Sequence, residues 1–84
     1  MDELFIIMVD YFHGDADGNE WTETAVLGVE KKGSINIIVF DEELCPRTKV
    51  FKGERDAMAY VKELNLNDSF CYENLRIVPL TNTF

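Results

Sequence analysis

Leu4-Phe5-Ile6-Ile7-Met8-Val9 is the first unbroken apolar run of the chain, and it leads straight into Asp10-Tyr11-Phe12. It is too short for a free-standing helix and rich in branched and aromatic side chains, so it predicts a central strand buried on both faces. His13 to Glu20 then gathers two glycines, three acids and Asn19. Gly, Asp and Asn tolerate the positive φ that turns need, so the first strand ends there. Between Trp21 and Val29, Trp21, Glu23, Ala25 and Leu27 alternate with Thr22, Thr24 and Val26, and the Thr and Val content suits a pleated surface. Lys31-Lys32-Gly33-Ser34 separates this second strand from Ile35 to Phe40. A short glycine-containing connector between two such runs predicts a hairpin, with strands two and three as antiparallel neighbours.

From Asp41 to Thr48 three consecutive acids and Pro46 break the pattern, predicting a surface loop, with Lys49-Val50-Phe51 as a short edge segment after it. The period then changes. Ala57, Tyr60 or Val61, and Leu64 recur at helical spacing while Glu54 and Asp56 occupy the first turn, where the helix dipole favours acids. A helix over 54–64 follows, with Gly53 at its N-cap and Asn65 able to take the left-handed conformation that ends it. Asn74 to Leu80 closes the pattern as a last strand, placed at an edge or a strand end by Pro79. The expected fold is α+β: an antiparallel sheet of about four strands with one helix packed on one face, in the order β-β-β-α-β.

Composition narrows the class. A chain of 84 residues corresponds to one domain, 1–84, and a 46 % hydrophobic content with only two Pro and five Gly excludes disordered and collagenous chains. The Leu4–Val9 run is flanked by Asp2, Glu3 and Asp10, where a signal peptide needs a basic leader and a membrane span needs about 20 apolar residues. A soluble cytoplasmic protein is expected. Cys45 and Cys71 are the only cysteines, which suits free thiols better than a disulfide framework.

Charge is the most informative feature. Sixteen acids against eight bases give a net charge of -8. The first thirty residues hold eight acids, Asp2, Glu3, Asp10, Asp15, Asp17, Glu20, Glu23 and Glu30, and no Lys or Arg, whereas the rest of the chain is balanced at eight and eight. Like charges held close repel, so such a cluster adds nothing to stability. It serves either solubility or the docking of a basic surface, where complementary charge speeds encounter and sets register. The most basic grooves belong to proteins that neutralise phosphates, and an acidic domain of this size could occupy one in place of nucleic acid. The expected partner-binding set is Asp10, Asp15, Asp17, Glu20, Trp21 and Glu23. Tyr11, Phe12 and Trp21 flank these acids, and aromatic anchors ringed by polar groups make binding hot spots. The competing reading of Trp21 is a core residue.

Other chemistry has less to stand on. Asp15-Ala16-Asp17-Gly18 resembles the front of an EF-hand calcium loop, with Asp15, Asp17 and Glu20 as ligands, but setting Gly18 at loop position six puts His13 first and Thr24 last. Zinc would draw on His13, Cys45 and Cys71 without the paired short spacings that organise a site. A hydrolytic centre on His13, Asp15 and Asp17 lacks an identifiable nucleophile and oxyanion donor. Gly14 and Gly18 sit among acids that repel phosphate, so direct nucleic-acid binding is disfavoured despite the basic patch of Lys49, Lys52 and Arg55. Neither catalysis nor a cofactor is expected.

The succession of strand, acidic loop, strand, a Phe51-x-Gly53-x-x-x-Ala57 helix entry and a final strand resembles small acidic α+β proteins of bacteria and their phages. These share no single activity, so no functional residue is carried over. By analogy with phage proteins that block host nucleases or polymerases, the expected function is a non-catalytic inhibitor docking its acidic N-terminal face on a basic, nucleic-acid-binding protein of the host cytoplasm. The alternatives are a small metal-binding or hydrolytic domain centred on the His13–Asp17 loop, and a domain that self-associates through an exposed sheet edge.

Overall fold

In a computed structural model that describes residues 3–82, the chain lays down β1 (Phe5–Gly14), β2 (Glu20–Lys32), β3 (Ile35–Asp41), α1 (Glu54–Glu63), β4 (Tyr72–Pro79) and a short 3-10 turn (Leu80–Asn82). Asp2, counted above among the N-terminal acids, lies outside the described residues. The four strands form one antiparallel sheet in the order β3-β2-β1-β4, so the expected α+β architecture is the observed one. The apolar run of β1 sits between two neighbours, and Ile6, Ile7 and Val9 have no exposed surface. Ile6 and Ile7 point to opposite faces, which is why the run does not alternate. Pro79 ends β4 on an edge of the sheet, where a residue without a backbone N–H is tolerated.

Register explains the shape. Residues Glu20 to Val26 of β2 pair with β1, from Gly14–Glu20 to Met8–Val26, while residues Val26 to Lys32 pair with β3, from Val26–Asp41 to Lys32–Ile35. β2 thus belongs to two staggered hairpins, and beside Leu27 and Val29 it has no β1 partner. The 47–51 segment fills that gap. The Val29 N–H donates to the Arg47 carbonyl at 2.8 Å, the Lys49 N–H to Leu27 at 3.1 Å, and Phe5 and Phe51 exchange two bonds of 2.8 Å. The expected edge segment at Lys49–Phe51 is therefore an internal wedge between β2 and β1. To reach it from β3 the chain crosses the sheet face opposite the helix at Gly28, where a Cβ would lie 2.6 Å from the Arg47 carbonyl oxygen. Arg47 fastens this crossing with a two-pronged grip on Asp41 (2.6 and 3.0 Å) and a contact to Glu30 at 3.3 Å.

Ala57 and Val61, one helical turn apart, bring α1 down on Ile7, Leu27, Phe51 and Leu66, and Val9, Ala25 and Tyr72 continue the same face. The helix ends at Leu64. Asn65 takes φ of 52°, its N–H bonds Lys62 and that of Leu66 bonds Val61, so that Leu66 tucks into the core beside the turn it caps. Each strand of the first hairpin runs beyond its apolar pattern, β1 to Gly14 and β2 to Lys32, because backbone pairing continues wherever a partner strand is in reach.

Candidate functional site

The β1–β2 hairpin extends past the cover of the helix, and its end carries most of the expected binding residues. The turn is built by Asp15. One of its carboxylate oxygens accepts from the N–H groups of Asp17 (2.9 Å) and Asn19 (3.0 Å), the other from the Asn19 side-chain amide at 3.1 Å. These bonds, those of Asn19 foremost, hold the carboxyl below the usual range. Gly18 supplies the left-handed φ of 87° that returns the chain to β2. Asp17 and Glu20 are exposed around this frame, and among the described residues none of Asp15, Asp17 and Glu20 has an ion-pair partner.

Strand register sorts the remaining groups by face. Pairing of His13 with Trp21 and of Tyr11 with Glu23 puts these four on the helix side of the sheet. The His13 and Trp21 rings stack 5.8 Å apart at 13°, the Trp21 indole N–H donates to Glu23 Oε1 at 3.3 Å, and Glu23 Oε2 stands 3.3 Å from His13 Nε2. Tyr11 continues the aromatic row, 5.7 Å from His13 and 5.5 Å from Phe40. Trp21 is 43 % exposed, so the core reading of this residue is wrong: the buried layer stops at Ala25, and Trp21 lies beyond it.

Phe12 and Glu20 face the other way. The Phe12 N–H donates to the Cys71 carbonyl at 2.9 Å, which holds the 65–71 segment beside β1 and sets Phe70 next to Phe12, His13, Gly14 and Glu20. Phe70 is wholly exposed. Phe70 stands four residues after the buried Leu66 and two before the buried Tyr72, a spacing that suits a core residue, so its exposure is not legible in the sequence.

Asp10 stands apart from the set. It faces away from Glu23, and its carboxylate accepts from Asn74 at 3.0 Å and Arg76 at 3.3 Å on β4, the Asn74 bond being the main reason its pKa lies low. Of the acids after β3, Glu42 approaches the hairpin: it lines one cleft with Tyr11, His13 and Glu23. Asp41 is held by Arg47.

Among the described residues no group of three or more His, Cys, Asp and Glu side chains is gathered as a metal site, and both Asp15 oxygens serve the loop itself. Cys45 and Cys71 are free thiols, Cys45 resting 3.3 Å from Asp41. In the basic patch, Lys49 lies over the rings of Phe51 and Tyr60 at 5.7 and 5.8 Å. No helix among the described residues is long and apolar enough to cross a membrane. Compared with known proteins, the chain matches no family model, no curated protein and no solved structure.

Proposed function

We propose that this chain is a non-catalytic binding protein that docks the β1–β2 hairpin end on a basic surface of a cytoplasmic protein, in the manner of an inhibitor occupying a groove built for nucleic acid. One observation carries the reading: acids at the hairpin turn with no counter-cation among the described residues are ringed by three exposed aromatic side chains, Phe12, Trp21 and Phe70. Exposed aromatic anchors beside one-signed charge supply apolar contact area and electrostatic steering in the same patch. Phosphate-binding grooves offer the complementary charge.

Asp17 and Glu20 are the residues to alter, because Asp15 builds the turn and Glu23 holds Trp21 and His13. The test is capture from a lysate of the natural host, with elution by a salt gradient. A basic protein released at moderate salt by the wild type, and lost or released at much lower salt by Asp17→Lys/Glu20→Lys, is the expected result. Equal retention of the doubly reversed variant overturns the electrostatic docking.

A further inference from the structure

β3 stops opposite Val26, whereas β2 runs on to Glu20, so among the described residues the outer edge of that half of β2 has no neighbouring strand. Backbone direction identifies the open groups. The Val29 N–H and Leu27 C=O are bonded to the 47–51 wedge on the β1 side. The alternation of an antiparallel ladder therefore turns odd-numbered residues of β2 towards β1 and even-numbered ones towards β3. Gly28 faces Val39 in this way, but Thr22 and Thr24 lie past the end of β3 and aim their N–H and C=O groups away from β1, along the line that β3 has left.

A cleft of about 450 Å³ opens at that place, lined by Tyr11, His13, Glu23, Ala25, Phe40 and Glu42. Its walls also include Thr24 and Val39, which belong to the opposite sheet face, so the cleft is a gap in the plane of the sheet itself. A strand set at the usual spacing of about 4.8 Å from β2 would continue the line of β3 through it.

We infer that this gap is a strand-addition site for an extended segment of the partner that carries Lys or Arg at alternate positions. The inference rests on the acidic-docking reading above and names how the partner engages. Backbone pairing to Thr22 and Thr24 supplies affinity, and alternate side chains enter the cleft. There they meet an aromatic floor, Tyr11 and Phe40, flanked by the carboxylates of Glu23 and Glu42, a setting that favours a cation on an aliphatic stem. Arg47 also borders the cleft, but its guanidinium is engaged by Asp41 and Glu30. Of the two outer strands of the sheet, β3 has no charged residue from Ile35 to Phe40, and β4 sets a single acid, Glu73, against Arg76 and ends on Pro79, so neither edge offers such selection.

The test is a titration of the isotope-labelled full chain, followed by amide NMR, with three capped hexapeptides: alternating Lys-Val, the same peptide fully N-methylated, and alternating Thr-Val. The expected result is that Lys-Val shifts the Thr22 and Thr24 amides and slows their exchange, while N-methylation, which keeps the charge and removes the pairing, weakens binding by about tenfold or more. Equal binding of the N-methylated peptide, with shifts confined to the hairpin turn, overturns strand addition and leaves acidic docking standing. Equal binding of Thr-Val overturns the preference for a basic segment. Shifts at Asn36, Ile38 and Phe40 in place of Thr22 and Thr24 move pairing to β3 and overturn the assignment, and no binding by any peptide at low salt overturns both readings.

Discussion

Acids of one formal charge do different work here according to what faces them. Asp10, Asp15 and Asp41 are tied to Asn74, Asn19 and Arg47 respectively, and in each case that tie is the foremost cause of a carboxyl pKa below the usual 3.8. A carboxyl that binds its proton less tightly when folded gives stabilisation that is complete above the unfolded value and is lost as pH falls through the lower folded value. Denaturant midpoints should therefore keep this contribution down to about pH 4 and lose it below. Asp41→Asn should flatten part of that acid limb; an unchanged limb would show that the Arg47 grip does not contribute. Asp17 and Glu20 have no such side-chain bond among the described residues, which is why the docking proposed above rests on them. This division was only partly legible in the sequence. The concentration of acids was plain, but Asp10 is hydrogen-bonded by Asn74 and paired with Arg76, 64 and 66 positions away, contacts that exist only once β4 lies beside β1. Trp21 was ambiguous for a similar reason: its burial depends on where along β2 the helix stops covering the sheet.

Whole elements were easier to read than their ends. The apolar runs of β1 and β3, the Thr and Val content of β2, the Leu75-to-Leu80 pattern of β4 and the change of period at Gly53 carry enough local signal to place the four strands and the helix, and Asn65 acts as the stop signal its type suggests. The surface loop after β3 was legible, but Lys49–Phe51 lies inside the sheet and not at its edge because its path is set by a close approach at Gly28 and by backbone groups of β2 that the hairpin stagger leaves open, neither of which has a periodic signature. Two glycines make opposite predictions at this scale. Gly28→Ala drives a methyl into a backbone carbonyl and should cost about 1–3 kcal/mol in chemical denaturation, since the crossing strand must move to make room. Gly53 has extended backbone, open space around its Cβ position and no side-chain cap, so Gly53→Ser should raise stability by about 0.5 kcal/mol. A stabilising Gly28→Ala would refute the close crossing described here.

Taken as one body, the molecule divides its labour along the sheet. One half, under α1, holds the buried layer; the other, the free hairpin end, holds exposed aromatics and charge. Leu27 sits at the centre of the covered half with no exposed surface, and Leu27→Ala should remove about 2–5 kcal/mol, a large share of the roughly 5–10 kcal/mol available to a domain of this size. A thermal melt of that variant showing only a small shift would mean that the core is not organised around β2. The strand order also shapes the order of events during synthesis. β1 is made first, yet one of its two flanks is closed only by β4, whose residues lie near the other end of the chain. On the ribosome the β1-β2-β3 meander can assemble early, but until residues 72–79 emerge its most apolar strand has an uncovered side. The nascent protein thus passes through a stage in which its own future core is an adhesive edge, and a translational pause ahead of Tyr72 would prolong that exposure.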